Sequence, residues 1–434
     1  MKSSIEEISP VKKKLIVEIE AEEVDRRIDK AYKDLGRNAR LPGFRPGKVP
    51  LGILEGRFGK EVLSDVTRDL VSESLPKALE ENDTFPLSMP VIDNGVPEKG
   101  QAFHYTAVME VRPRFELSDY MGLEMEKEKL SVTDEDVDRQ IEEIRRAQGQ
   151  LRAAEGRPVQ DGDYVSFRFE GSENGTPIQG LQSDDHMVRV GSGDFHPEFE
   201  KRLIGCAKGD SATIRVDFED DYRDKNLAGK SVDFAVDVLE IKEMDLPEMN
   251  DDFVKGLGGP METMEDLRKE VRNEITKREE KRIDRDLKNR LVKQICDKVE
   301  FDLPESMVEQ ELDNAVESIR RNLARSGGDF QKAGLDEHRL RAEFRPASEF
   351  RVKRMLVLEE IAKQNQLEVD DEDVTQGFAD LAGGIGQDPG VIRRYYEANQ
   401  LMETFKGGLF EEKTLKFLVE GAKVQEVDEV KKDK

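Results

Sequence analysis

The sequence predicts an α+β multidomain protein on three observations. Strand and helix patterns mix over the first 112 residues, a β-rich stretch of about ninety residues begins near residue 150, and helical periodicity fills the chain beyond residue 245. At 434 residues the chain is too long for one hydrophobic core, so about two to four domains are expected. Charged residues make up 38% against 36% apolar ones, with no Trp, which implies thin cores and much solvated surface.

In residues 11 to 20, Leu15, Val17 and Ile19 alternate with Lys14, Glu18 and Glu20, a strand pattern that only Ile16 interrupts. A helix from about Glu22 to Ala39 follows, with Val24, Ile28, Ala31 and Leu35 along one side. After a Pro- and Gly-rich loop comes a helical region from Leu51 to about Asn82, with Val62, Val66 and Leu70 at fourfold spacing. Pro76 is expected to kink or end it. Phe103, Tyr105, Ala107, Met109 and Val111 then form a second alternating strand, completing an α+β unit over residues 1–112.

Residues 113–150 read as a linker with a helix that packs on the C-terminal part. Thr133 and Asp136 form a capping box, and the same pattern returns at Asp370 and Asp373. Val137, Ile141 and Ile144 follow the first box as Val374, Phe378 and Leu381 follow the second, which suggests two helices with equivalent packing roles bracketing an insertion. Within it, Val165, Phe167 and Phe169, then Ala212, Ile214, Val216 and Phe218, then Val232, Phe234, Val236 and Val238 alternate as strands, with glycines as turns. A compact antiparallel half-barrel over 151–245 fits. The helical part, 246–424, contains a long charged run over 262–298, a helix opened at Asp302-Leu303-Pro304-Glu305 with Pro in its first turn, and a run to Gln366 interrupted by Pro346. Gly383-Gly384-Ile385-Gly386 and Asp388-Pro389-Gly390 read as hairpin tips, and 425–434 as a charged flexible tail.

The loop Pro42-Gly43-Phe44-Arg45-Pro46-Gly47-Lys48-Val49-Pro50 cannot continue a helix or a strand, since Pro lacks a donor and Gly lacks the Cβ restraint. It holds one aromatic ring and a guanidinium at an exposed turn. From Arg37 to Lys60, six basic residues against Glu55 leave a net +5 on a chain of net −26. Such a positive island addresses an anionic surface, while the acidic remainder disfavours indiscriminate nucleic-acid binding.

Gly43-Phe44-Arg45-Pro46-Gly47-Lys48-Val49-Pro50 resembles the ribosome-docking signature of the bacterial trigger factor family, Gly-Phe-Arg-x-Gly-x-x-Pro, at each fixed position. The resemblance implies a ribosome-binding domain over 1–112 that docks through Gly43, Phe44, Arg45, Gly47, Lys48 and Pro50. Its partners would be protein and RNA of the large ribosomal subunit beside the polypeptide exit tunnel. Pro46 stands at a variable position often held by Lys in relatives, which would weaken the electrostatic part of docking. The resemblance also implies an ATP-independent chaperone that binds nascent polypeptides and keeps them open for folding or export, with a possible homodimer when free.

The segment 151–245 is similar to FKBP-type prolyl isomerase domains, notably in Phe195-His196-Pro197-Glu198-Phe199-Glu200, Leu203-Ile204-Gly205 and Lys208-Gly209-Asp210. That similarity implies peptidyl-prolyl cis-trans isomerase activity in a cup of Phe169, Ile178, His196, Phe199, Tyr222 and Phe234. The reaction needs no nucleophile. Its barrier of about 18–20 kcal/mol comes from amide resonance, and an apolar cup favours the twisted, less polar transition state. Ile178 stands where an aromatic is usual, His196 where the family has an apolar residue, and Glu198 where it has Gly. Weak binding of X-Pro peptides and low activity are therefore expected.

The C-terminal helices are similar to SurA-type periplasmic chaperones. Met355, Leu356, Leu358, Tyr395, Tyr396, Leu401, Met402, Phe405, Leu409 and Phe410 are candidates for an apolar client-binding lining, because Met and aromatic side chains suit promiscuous recognition. The first seven residues hold no apolar run of the signal-peptide kind, and no later stretch reaches membrane-spanning length, so a cytoplasmic protein without membrane attachment is expected. Cys206 and Cys296 lie far apart and form no disulfide framework. Gly191-Ser192-Gly193 lacks the third glycine of a dinucleotide loop, and Asp224 stands where a P-loop ending in Gly229-Lys230-Ser231 needs its first glycine. The four histidines show no ligand spacing, so neither nucleotide, metal nor other cofactor is expected. Two alternatives stay open: a protein that is primarily a prolyl isomerase, or a chaperone whose isomerase domain is nearly inactive.

Overall fold

The computed structural model describes the chain except Arg40, Gly43, residues 45–48, Asp221, residues 223–226, Asp329, residues 331–334, Glu429 and residues 431–434, and the side chains of Asn38, Gln179 and Ile385. It forms two compact units, Met1–Glu128 with Arg285–Lys434, and Lys129–Asp284. The unit around the half-barrel is thus wider than the 151–245 segment read from the strand patterns.

The first unit begins with β1 (Lys2–Ser9) and β2 (Lys12–Ile19), then α1 (Ala21–Asn38), α2 (Leu51–Glu81), β3 (Val91–Asn94) and β4 (Phe103–Glu110). The four strands are antiparallel in the order β1-β2-β4-β3. Register sets Leu15 opposite Ala107, Val17 opposite Tyr105 and Ile19 opposite Phe103, so the alternating residues share one buried face. Val24, Ile28 and Tyr32 of α1 and Val62, Val66 and Leu70 of α2 complete that core. The Tyr105 hydroxyl lies 2.8 Å from Ser74 Oγ, which also donates to the Leu70 carbonyl at 2.6 Å. The strand β1 was not legible because residues 2–9 show no apolar alternation; pairing with β2 defines it. Nor does Pro76 end α2, which runs on to Glu81 with Leu70, Val71, Ser74 and Ala78 buried on both sides of the proline. Packing against the sheet outweighs the lost hydrogen bond.

After β5 (Glu124–Glu128) the second unit contains α3 (Asp134–Ala147), β6 (Gln150–Ala153), β7 (Tyr164–Glu173), β8 (Thr176–Arg189), α4 (Pro197–Leu203), β9 (Ser211–Asp217), β10 (Ser231–Asp245), α5 (Asp251–Leu257) and the start of α6 (Met264–Lys298). The sheet is antiparallel in the order β6-β10-β7-β8, with β9 on β10 as well. Because β7 occupies one edge of β10, β9 and β6 share the other in succession. The capping box of Thr133 and Asp136 is formed, and Val137 and Ile141 of α3 pack with Phe253, Val254, Leu267, Val271 and Ile275. The equivalent box of Asp370 and Asp373 opens α9 (Asp371–Ile385).

The rest of the first unit comprises the end of α6, α7 (Glu305–Arg325), α8 (Glu337–Gln364), α9, α10 (Pro389–Ala398), α11 (Met402–Glu420) and β11 (Lys423–Val427). Four sequence expectations are corrected here. Pro346 lies inside a continuous α8 whose Ser348, Val352 and Leu356 are buried beyond it, and Pro304 is the N-cap of α7 rather than a first-turn residue. Gly383 and Gly384 belong to α9, so a single turn remains, with Gly386 in the left-handed region at φ 66° and Asp388 capping α10. Residues 425–427, read above as part of the flexible tail, belong to β11, which pairs in parallel with β5. These helices pack around several small clusters rather than one core: α6, α8, α11 and β5 around Leu291, Ile295, Ile361 and Leu418, α7 and α8 around Leu312 and Val352, and α9, α10 and α11 around Phe378.

In the half-barrel, Asp163 is 5% exposed and accepts from Arg157 at 2.6 and 2.9 Å and from the Gln160 N–H at 2.8 Å. Burial pushes its carboxyl up, but the Arg157 and Gln160 bonds and the guanidinium charge outweigh burial and hold it below the usual range. A carboxylate depressed in this way stabilises the fold above its unfolded pKa of about 4 and loses that contribution as pH falls through the lower folded value. Asp163→Asn is expected to cost about 2 kcal/mol at neutral pH. In urea titrations, the gap to the native chain should narrow below about pH 4; a gap unchanged between pH 7 and pH 3 would contradict this assignment.

Candidate functional site

The Pro- and Gly-rich loop joins α1 to α2. Phe44 is 37% exposed, and its N–H donates to the Leu41 carbonyl at 3.1 Å. Pro50 is the exposed N-cap of α2, and Leu51 and Ile53 in the first turn are exposed beside it. Arg57 and Lys60 are exposed on α2, while Arg37 spends part of its charge on Asp34 at 3.3 Å. Gly43, Arg45, Gly47 and Lys48 lie outside the described residues.

The half-barrel places five of the six cup residues in one aromatic cluster. Phe169 of β7 and Phe199 of α4 lie with their ring centres 6.0 and 5.4 Å from Phe234 of β10. His196, the N-cap of α4, lies 6.2 Å from Tyr222. Ile178 of β8 and Tyr222 are half-buried against the same core. Two rings absent from the sequence-based set bind the cluster together. Phe218 lies 4.6 Å from Tyr222, 5.2 Å from His196 and 6.5 Å from Phe234. Phe195 lies 4.4 Å from Phe199 and 5.2 Å from Phe169. Both carried a signal: Phe218 continues the alternation of Ala212, Ile214 and Val216, and Phe195 directly precedes His196. Gly171 must lack a side chain here, because a Cβ would meet Leu181 at 2.4 Å and Phe234 at 3.3 Å. His196 accepts the Glu198 N–H through Nδ1 at 3.3 Å, so the neutral ring keeps its proton on Nε2. The cluster thus presents apolar rings and one imidazole donor, which is all that rotation about an imide bond requires.

Phe169, Phe199 and Phe234 are 7%, 0% and 1% exposed and so belong to the core as much as to a cup. His196, Tyr222 and Ile178 are the half-buried members.

Among the helical candidates, Met355 and Tyr395 are 40% and 59% exposed, and Val391 beside Tyr395 is 49% exposed. Leu356 and Leu358 are corrections: they are 4% and 3% exposed and close the clusters between helices. Tyr396, Met402, Phe405 and Leu409 are half-buried around Phe378, whose ring stacks on Phe405 at 4.1 Å. Leu401 and Phe410 are half-buried. Cys206 and Cys296 are free, and burial pushes the Cys296 thiol up to about 11, so neither is an activated nucleophile. Among the described residues, no helix is long and apolar enough to cross a membrane.

Comparison with known proteins accords with this division. Residues 1–144 match the family model for bacterial trigger factor protein, residues 155–239 that for FKBP-type peptidyl-prolyl cis-trans isomerase, and residues 263–420 that for the trigger factor C-terminus. The trigger factor of Geotalea daltonii is 37% identical over 436 residues, covering 100% of both chains. That of Halothermothrix orenii is 35% identical over 420 residues, 96% of this chain and 98% of its own. A solved trigger factor chaperone, described for promiscuous substrate recognition in folding and assembly, shares the fold with a TM-score of 0.52 at 23% identity, over 97% of this chain and 99% of that one. An FKBP-type isomerase domain set between an α+β part and a helical part defines a class of chaperones with a built-in prolyl isomerase module. The chain belongs to the bacterial trigger factor family.

The burial pattern separates core from cup experimentally. Phe199→Ala and Phe234→Ala are each expected to cost about 3–5 kcal/mol of half-barrel stability. His196→Ala and Tyr222→Ala should cost about 1 kcal/mol. Urea unfolding of the full chain reads the difference, and equal losses for all four would refute it.

Proposed function

We propose that the protein is a cytoplasmic, ribosome-associated and ATP-independent chaperone that receives nascent polypeptides at the exit tunnel and holds them open for folding or export. Residues 1–112 dock, 151–245 isomerise X-Pro bonds, and 246–424 hold clients. The observation that supports docking most directly is Phe44, exposed in the loop between α1 and α2 on a net-positive segment of an acidic chain. Aromatic contact by Phe44 and charge pairing by Arg45 and Lys48 would engage ribosomal protein carboxylates and RNA phosphates together. Client binding uses Met355 and Tyr395 first, since these are open to solvent. Tyr396, Met402 and Phe405 reach a client only from the rim of the Phe378 cluster, and a homodimer when free would cover part of the same apolar surface.

Ribosome co-sedimentation tests docking. Phe44→Ala with Arg45→Ala should lower the pelleted fraction at least about tenfold, since loss of one aromatic contact and one charge-assisted contact amounts to about 2 kcal/mol or more. Equal pelleting of variant and native chain removes the reading.

The isomerase assignment rests on the aromatic cluster with its half-buried His196 and Tyr222. A proline-limited refolding assay tests it with His196→Ala plus Tyr222→Ala, which spare the deep core. The double variant is expected to lose most of the acceleration. Retention of the native rate would exclude a catalytic role for this cup and leave the chaperone reading alone.

A further inference from the structure

Glu200 lies in the first turn of α4 and is 1% exposed. Its Oε2 accepts the N–H groups of Gly191 at 2.9 Å and Gly193 at 2.8 Å, and its Oε1 accepts that of Phe195 at 3.1 Å. The two glycines have φ of +88° and +76°, a backbone that turns successive N–H groups toward one point. The buried carboxylate therefore answers three backbone donors of this loop. Leu203, on the same short helix, shows that an inward position here also takes an ordinary apolar residue.

The tied segment ends in the cup. Phe195 contributes a ring 4.4 Å from Phe199 and 5.6 Å from Phe234, and His196 follows it against Phe218 and Tyr222. Glu200 itself bonds to backbone N–H groups. We propose that Glu200 is a positioning residue for prolyl isomerisation: its buried carboxylate holds residues 191–195 so that Phe195 and His196 form one wall of the cup. The assignment rests on the isomerase reading above and adds a residue to it.

A wall that is in place only part of the time leaves the chemistry of the bound state intact and multiplies the apparent affinity by the competent fraction, so that KM rises. Irreversible loss of the barrel, in contrast, lowers the amount of active enzyme, and with it the apparent kcat, and leaves KM alone. Glu200→Gln separates these cases, because a carboxamide can offer one oxygen, but its NH2 group must confront one of the three N–H donors.

The test uses the full chain and an X-Pro peptide whose cis and trans forms are followed by exchange spectroscopy, giving KM and kcat, with hydrogen exchange measured over residues 190–196 and over β7 and β10. For Glu200→Gln, exchange of the loop is expected to quicken at least about tenfold while β7 and β10 stay protected. KM should rise about fivefold, with kcat within about twofold of native. Glu200→Asp, which keeps the charge one methylene short, should recover part of the KM. A fall in kcat at unchanged KM, or faster loop exchange with native kinetics, overturns the positioning role. Unprotected β7 and β10 in both variants would likewise assign Glu200 to stability alone. A native chain without measurable isomerase activity would overturn the isomerase reading and the positioning role with it, while loop exchange would still show whether Glu200 holds the segment.

Discussion

The half-barrel is constrained by having one set of rings serve as both interior and wall. Phe169, Phe199 and Phe234 are packed in the core, yet they also belong to the cup proposed for X-Pro peptides. The burial of such large side chains is what a small sheet with one short helix has available for stability. His196, Ile178 and Tyr222 sit half-buried, outside this packed floor. The departures of this chain from the usual family pattern at 178 and 196 fall there.

The helical part meets a different limit. With few apolar residues per turn, its helices settle into several small clusters instead of one, each closed by a few side chains such as Phe378, Leu312 or Ile361. Ion pairs span the surfaces between them, as where Arg345 meets Glu305 at 2.7 Å and Arg354 meets Glu411 at 2.6 Å. Solvated pairs of this kind link neighbouring helices but add little stability. Apolar residues left over from the clusters, Met355, Val391 and Tyr395, then stand in the open without collapsing onto a neighbour.

Much of this was legible in the sequence wherever one face of an element is buried. The alternation at Leu15, Val17 and Ile19 and the capping boxes at Thr133 and Asp370 read directly as the elements they form. Elements defined by pairing rather than by their own pattern were not legible: β1, β3, β5 and β11 carry mostly polar residues, and their hydrogen bonds come from partners remote in sequence or along an edge. Pro76 and Pro346 misled for the converse reason, since a local rule gave way to tertiary packing on both sides. Phe195 and Phe218 stand in patterns visible in the sequence, but their contacts, and those of Glu200, required coordinates. Their part follows from what they touch and not from which residue types they are.

The parallel pairing of β11 with β5 sets Val424 beside Met125, two strands far apart in the sequence. Met125 also belongs to the cluster that includes Leu291, Ile361 and Leu418, so the first compact unit is assembled from the beginning and the end of the chain with the second unit made in between. Closing so large a loop is entropically slow, and synthesis runs from the N-terminus. While this protein is being translated, the core of β1 to β4 with α1 and α2 can close by itself, but Leu117, Leu123 and Met125 must wait, unburied, until the C-terminal helices and β11 have been made.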